Sequence, residues 1–433
     1  MYLRRRIDEY LASWKKGKHR LPLLVRGIKE CGKTRSVKEF AKKHYNHVFY
    51  IDFVKNPEAK KDFLNEDITM MIEKLITRFP KEKIVEGETI FIFDNIAYFR
   101  EGIDVMKRIQ HSKHYDVIGI SERIDLCDFN DEEVLLYDMK TMDFIEFLNA
   151  SSFNKKQLEI VYDAFTNKKN IPFTLHKAIL KAFYEYVLVG GFPSSVESYL
   201  EFHKLEDAYR ENQKIYFEIE NDFGKRLDED NKQSFLPIEV DIIHQIIDLI
   251  PEFLMKDNKR FYLHKISSGS NEEKMSAIKY LEDLGMISLN YNVLSLPLQA
   301  RNKVDDRFKI FYNDLSFITS TFKPKKRLAI TKGNLSLDKG DLLESIVSDA
   351  LYKLDIPTYH QYNDDGEVDF VIKGEETTII IESKGRTLKY HKTLLENHRI
   401  IELYKIDDTN IIVNNKITNI PIYLLYFLKD KMI

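Results

Sequence analysis

Two sets of residues in this chain have the types and spacing to do chemistry. The first is Gly27-Ile28-Lys29-Glu30-Cys31-Gly32-Lys33-Thr34, which follows the apolar run Leu23-Leu24-Val25 and precedes a helical segment. Glycines at this spacing let the backbone curl until its amides face phosphate oxygens; the lysine then reaches the outer phosphates and the next hydroxyl holds a metal ion. Gly27, Gly32, Lys33, Thr34 and Arg35 are the expected nucleotide contacts. Downstream, Asp94 ends the apolar run Thr89-Ile90-Phe91-Ile92-Phe93, a position from which a carboxylate joins Thr34 in holding a hydrated magnesium ion. ATP and Mg2+ are the ligands this arrangement predicts.

The second set lies in the last hundred residues. Asp369 stands in Glu367-Val368-Asp369-Phe370, Glu382 and Lys384 stand in Ile379-Ile380-Ile381-Glu382-Ser383-Lys384, and Glu344 lies in a helical stretch upstream. Side chains alternate along a strand, so Glu382 and Lys384 share a face. A hairpin turned near Lys373-Gly374 brings Asp369 beside Glu382, giving two carboxylates for a divalent ion while Lys384 orients or activates water. Glu344 is the further candidate ligand. An oxygen-only donor set favours Mg2+ or Mn2+ over zinc. This is the residue pattern of PD-(D/E)XK nucleases, and DNA is the partner it implies.

The elements that must position these residues follow from periodicity. Apolar strands at 48–53, 89–94 and 116–121 alternate with helical stretches, one at 70–79, which predicts a parallel sheet. Residues 151–232 read as helical, with Leu175 to Val189 apolar at helical spacing and a Gly190-Gly191-Phe192-Pro193 break. Helical patterns at 238–250 and 272–284, a short segment at 261–266 and a strand at 285–289 suggest a winged-helix unit. Its Lys265, Ser267, Ser268, Ser270, Lys274 and Lys279 are placed to meet DNA phosphates. Beyond Lys384, a segment 388–399 with Lys389, His391, Lys392, His398 and Arg399 reads as a basic helix, and 411–413 and 420–423 as closing strands. The expected organisation is an α/β multidomain chain: 1–150 nucleotide-binding, 151–232 a helical lid, 233–322 winged-helix-like, and 323–433 nuclease-like.

Charge narrows the partners. A formal charge of −3, with 66 basic against 69 acidic residues, leaves no net field to commit the whole chain to nucleic acid, so such a surface must be local. Two cysteines, Cys31 and Cys127, argue against a disulfide framework. Met1 to Arg6 is basic without a following apolar segment, and no later run has the length of a membrane span, so a cytoplasmic protein is expected. A protein partner or self-association stays open.

The chain resembles bacterial and archaeal ATP-binding proteins that pair an AAA-type ATPase core with a C-terminal domain of unknown function. The resemblance runs through Arg5 to Leu11, Pro22 to Gly27, Phe144-Ile145-Glu146-Phe147-Leu148, Gly190 to Pro193, Phe308-Lys309-Ile310-Phe311-Tyr312-Asn313-Asp314 and Glu367 to Phe370. It implies an AAA core with a helical lid, on which Arg210, Lys214, Asp222 and Arg226 are charged positions. The chain departs from that family where hydrolysis is decided. The strand that normally ends Asp-Glu ends here in Asp94-Asn95, Glu30 and Cys31 stand where relatives carry glutamine and valine, and the Gly-Ser pair expected after the next strand reads Ser121-Glu122. An amide can hold a water but cannot accept its proton, so retained binding with slow hydrolysis is expected. Glu101 and Glu122 are candidate substitutes for the base, and Arg100, Arg108 and Arg123 candidate arginine fingers.

Overall fold

The computed structural model describes the chain apart from residues 1, 65–66, 123–131, 230–239, 257–258, 297, 299–302, 338–339, 365, 375–376, 384–393, 397–400 and 429–433. It forms two compact units, Tyr2–Thr141 and Met142–Ile433.

The first unit is built on five strands, β1 (Leu23–Arg26), β2 (His47–Asp52), β3 (Thr89–Asp94), β4 (Asp116–Ser121) and β5 (Leu135–Asp138), in the order β2-β3-β4-β1-β5 with every pairing parallel. All six residues of β3 and of β4 are buried, as a strand covered on both faces requires. Helices Arg6–Lys16, Lys33–His44, Ile68–Arg78 and Gly102–His111 accompany the sheet. Phe49, Phe53, Phe63, Phe91, Phe93 and Phe99 fill one core, with edge-on contacts such as Phe63 to Phe93 at 5.0 Å between ring centroids. The expected strands and the 70–79 helix are present. The half-buried edge strand β5 lies outside the expected set, although Val134-Leu135-Leu136-Tyr137 is a short apolar run.

The second unit carries helices Phe144–Ala150, Lys155–Thr166, Phe173–Val189, Pro193–Phe202, Leu205–Glu229, Val240–Leu254 and Asn271–Asp283. Strands β6 (Ile287–Val293) and β7 (Lys303–Tyr312) follow, then the two-residue pair β8 (Ser336–Leu337) and β9 (Gly340–Asp341), then helix Leu343–Lys353. The chain closes with β10 (Tyr359–Asn363), β11 (Gly366–Lys373), β12 (Thr378–Glu382), β13 (Ile401–Asp407), β14 (Ile412–Asn414) and β15 (Ile417–Pro421). One eight-stranded sheet runs β14-β15-β13-β12-β11-β10-β6-β7.

That sheet crosses the expected boundary at 322/323. β10 pairs in parallel with β6, Tyr359 beside Tyr291 and His360 beside Asn292, so the strands assigned to a winged-helix unit continue the sheet of the C-terminal part. Val293 and Leu296 share a core with Val368, Val371, Ile380 and Leu403. The boundary at 150 also moves, because Phe144 packs edge-on against Phe183 at 5.1 Å in the second unit. The helices of 151–232 belong to the same compact unit. Of the expected closing strands, 420–423 is divided: Pro421 ends β15 and Ile422–Phe427 forms a 3-10 helix.

A fully buried ionic cluster joins distant segments of this unit. The Lys353 ammonium lies 2.9 Å from Asp349 Oδ1 and 3.1 Å from Asp314 Oδ2, and it donates to the Tyr186 hydroxyl over 2.8 Å. Tyr426 donates to Asp349 Oδ2 over 2.7 Å, and the Gly191 amide donates to Asp314 Oδ2 over 3.0 Å. Among the described residues no helix is long and apolar enough to cross a membrane.

Candidate nucleotide site and carboxylate cluster

The loop after β1 takes the shape its glycines allow. A Cβ on Gly27 would stand 2.1 Å from the Met139 carbonyl oxygen, and Gly32, at φ 98°, starts helix Lys33–His44 from the left-handed region. Glu30 is left-handed too, at φ 62°, a conformation costly for a residue with a side chain. The buried Lys33 ammonium donates to the carbonyls of Gly27 and Ile28, both at 2.8 Å. Thr34 donates its hydroxyl to Asp94 Oδ2 over 2.9 Å, so the two expected magnesium-side groups meet. A hydroxyl beside a carboxylate is a hard-oxygen donor set that suits Mg2+. Arg35 is exposed on the same helix.

Sequence reasoning missed four residues here. Arg5, buried, donates from Nη1 to the Cys31 carbonyl and from Nη2 to the Lys140 carbonyl, each at 2.7 Å, which ties the loop to the segment after β5. Tyr50 donates to Asp94 Oδ2 over 2.8 Å; burial and the Asp94 charge push its phenol well above the usual range, so it remains a donor. Lys38 lies 3.2 Å from the centroid of the Tyr50 ring. Asp52, in register with Asp94 across β2 and β3, accepts from the Asn95 amide over 3.0 Å and from the Val54 amide over 3.0 Å. Burial alone would raise the Asp52 carboxyl, but these donors outweigh it and hold the group below its ordinary value. Only the register of two strands joins Asp52 to Asn95, and no motif spacing could have found the pair.

The other expected residues of this unit are dispersed. Glu101 and Arg100 are exposed, Glu122 is half-buried, and Arg108 donates to the Phe63 carbonyl. Cys31 is a buried free thiol. Arg123 and Cys127 lie outside the described residues, as does the side chain of Arg226. In the second unit Arg210 and Lys214 pair with Asp207 and Glu211 on their own helix.

The C-terminal constellation is buried. β11 and β12 pair antiparallel with Phe370 opposite Ile381, so Asp369 and Glu382 come one step further along, and the Asp369 amide faces Glu382 Oε1 at 3.4 Å. Asp369 Oδ2 accepts from the Ser383 amide at 3.0 Å and from its hydroxyl at 2.6 Å. Burial, then the charge of Glu344, raise the Asp369 carboxyl above its ordinary value. Glu344, 0% exposed, meets Lys259 Nζ at 2.9 Å through Oε1 and Lys309 Nζ at 3.0 Å through Oε2. Lys309 also reaches Glu367 Oε1 at 3.1 Å. Asp369 and Glu382 thus adjoin as the hairpin requires, while both Glu344 oxygens are taken by ammonium groups. Among the described residues no group of three potential metal ligands is gathered. Lys384 and the basic segment 388–399, apart from residues 394–396, lie outside the described residues.

Four of the candidate DNA contacts of the winged-helix pattern, Ser267, Ser268, Ser270 and Lys279, have protein partners. Ser270 caps helix Asn271–Asp283 in a reciprocal box with Glu273, Ser267 and Ser268 bond to Gln245, and Lys274 is buried. Lys279 pairs with Glu282 at 3.1 Å and Asp283 at 3.0 Å, and Lys265 is exposed.

Residues 19–148 match a family described as an AAA domain, and residues 180–326 match a domain of unknown function (DUF8612). No curated protein matches the chain. Among solved structures, the Walker-type ATPase of Pyrococcus abyssi is similar at 14% identity and TM-score 0.39, over 74% of this chain and 95% of that one. The Aeropyrum pernix Orc1 protein in complex with DNA is similar at 12% identity and TM-score 0.28, over 76% and 91%. The match at 19–148 coincides with the loop, the parallel sheet and the Thr34–Asp94 contact, and this part of the chain is an AAA-type ATPase-like domain.

Proposed function

We propose that this chain is an ATP-binding AAA-type protein with slow hydrolysis, coupled to a C-terminal nuclease-like domain that acts on DNA. The observation that carries the nucleotide half is the Thr34 hydroxyl 2.9 Å from Asp94, at the mouth of a loop that holds Lys33. ATP would be bound by the loop amides and Lys33, with Mg2+ held by Thr34 and Asp94 to offset phosphate charge. Asn95, turned to Asp52, can position a water but takes no proton from it, which supports a long-lived ATP state.

For the second half, the support is Asp369 beside Glu382 at the ends of adjacent strands. These carboxylates would hold Mg2+ or Mn2+, and Lys384 would orient or activate the attacking water; the ion would polarise the scissile phosphate. Cleavage of labelled single- and double-stranded DNA with either metal, with and without ATP, tests the reading. Loss in Lys384→Ala supports a nuclease, and dependence on ATP that disappears in Lys33→Ala supports coupling.

A second reading is a non-catalytic nucleotide switch that binds DNA or a protein partner. Asn95 favours it, as does the pairing of Glu344 with two lysines. No cleavage of either DNA form, with ATP binding intact, would select it.

A further inference from the structure

We propose that the basic helix Pro324–Thr331, with Lys323 before it and Lys332 after it, is the surface on which this chain holds the phosphate backbone of duplex DNA. The inference rests on the reading that DNA is the partner, and it names contacts that the winged-helix pattern did not include.

Between Asp314 and Asp338 the sequence holds Lys323, Lys325, Lys326, Arg327 and Lys332 and no carboxylate, in a chain whose acidic residues outnumber its basic ones by 69 to 66. Other exposed helices of the second unit set a lysine against an acid one turn away. Lys155 lies 3.7 Å from Glu159, Lys214 2.9 Å from Glu211 and Lys256 2.6 Å from Glu252. Here the sequence supplies no such acid. Lys323 and Arg327 stand four residues apart instead, a spacing at which like charges destabilise a helix. A helix that only faces water gains nothing from this arrangement, whereas a polyanion turns the repulsion into attraction.

The fold sorts these cations into two groups. Ile330 is buried, and Arg327 turns back onto helix Leu205–Glu229, with its guanidinium 3.6 Å from the Tyr209 ring centroid and 3.4 Å from Glu206. Lys326 lies 3.8 Å from the Phe322 ring centroid and 3.1 Å from Met255 Sδ. Those contacts fix the inner side of the helix. Lys323, Lys325 and Lys332 are exposed, and among the described residues none of the three has an ion pair. Lys325, Leu328 and Lys332 fall at i, i+3 and i+7, on one face, and Leu328 is 57% exposed. At 1.5 Å per residue the step from Lys325 to Lys332 covers about 10 Å, a length over which one strand of a duplex carries about three phosphates. Three ammonium groups therefore match the phosphate spacing, and Leu328 between them can meet the apolar carbons of the sugars. Such contacts position a duplex without reading its bases.

The test is the salt dependence with which the full chain binds a labelled DNA duplex, measured in EDTA so that cleavage plays no part. It compares wild type with Lys323→Gln/Lys325→Gln/Lys332→Gln and with Lys156→Gln/Lys168→Gln/Lys169→Gln, which removes the same charge from exposed lysines in and after helix Lys155–Thr166. In a plot of log affinity against log salt concentration, the first triplet should flatten the slope by about 2.7, from about 0.9 per lost phosphate contact, and weaken binding throughout. The second triplet should keep the wild-type slope. A first triplet with the wild-type slope overturns the proposal and leaves the DNA reading standing. Equal flattening in both triplets also overturns it, since diffuse charge would then hold the duplex. Wild type that binds single strands but no duplex overturns it as well. Wild type that binds neither form defeats the DNA reading together with the proposal; a poly-glutamate peptide that wild type binds and the first triplet loses would then give this helix an acidic protein partner.

Discussion

The Asn95 side-chain amide donates to Asp52 Oδ1 over 3.0 Å, linking the residue after Asp94 to the facing end of the neighbouring strand. An amide at that position can hold a water but cannot accept its proton. Asn95→Glu should therefore raise ATP turnover by about 100- to 10,000-fold, the range of general-base assistance. Steady-state phosphate release measures it, with Lys33→Ala as the background; equal rates in wild type and Asn95→Glu would mean that another group already serves as the base.

Arg5 bridges two carbonyls, Cys31 inside the loop and Lys140 beyond β5, with one guanidinium. Lysine can make one of those bonds in place of two, and a hydrogen bond to a charged group is worth about 1.5–3 kcal/mol. Arg5→Lys should weaken nucleotide binding by roughly tenfold or more through a loosened loop. Titration with a fluorescent ATP analogue reads this directly, and an unchanged affinity would reduce Arg5 to a packing role.

Lys353 stands between Asp314 and Asp349 with all three side chains buried. Burial pushes the Asp349 carboxyl up to about 6 in spite of the opposing lysine, a sign of how strained these charges would be alone. Lys353→Met should destabilise the second unit by about 3–5 kcal/mol, the usual effect of removing one partner from a buried pair. Neutralising the acids as well, in Lys353→Met/Asp314→Asn/Asp349→Asn, should recover a large part. Urea unfolding separates the outcomes: similar losses in both variants would show that packing, not charge, sets the effect.

His360 is 3% exposed, with Nδ1 at 3.1 Å from both the carbonyl and the side-chain oxygen of Asn290. Its folded value, near 3, lies below the ordinary 6.5 that the unfolded chain would show. Below pH 6.5 the unfolded state takes up a proton that the folded state refuses, so this contribution is complete above about pH 6.5 and is lost as pH falls toward 3. Between pH 7 and pH 5, wild type should lose about 2 kcal/mol more stability than His360→Gln. Parallel losses in paired urea titrations would place the acid sensitivity elsewhere.

The parts of this protein legible in its sequence are those written in local spacing. Gly27, Gly32, Lys33 and Thr34 declare a phosphate loop because a curled backbone needs glycine at fixed intervals, and strands β3 and β4 declare themselves as apolar runs because both their faces are covered. The adjacency of Asp369 and Glu382 was readable too, since a short hairpin fixes which residues oppose one another. Tertiary structure alone decided the rest. Nothing in the spacing of Lys259, Lys309 and Glu344 indicates that they meet, nor that Lys353 joins Asp314, because pairing across 35, 39 or 85 residues depends on how strands and helices pack and leaves no periodic trace. The single sheet that carries β6 and β7 beside β10 is the physical reason: it brings a lysine from one segment into the carboxylates of another.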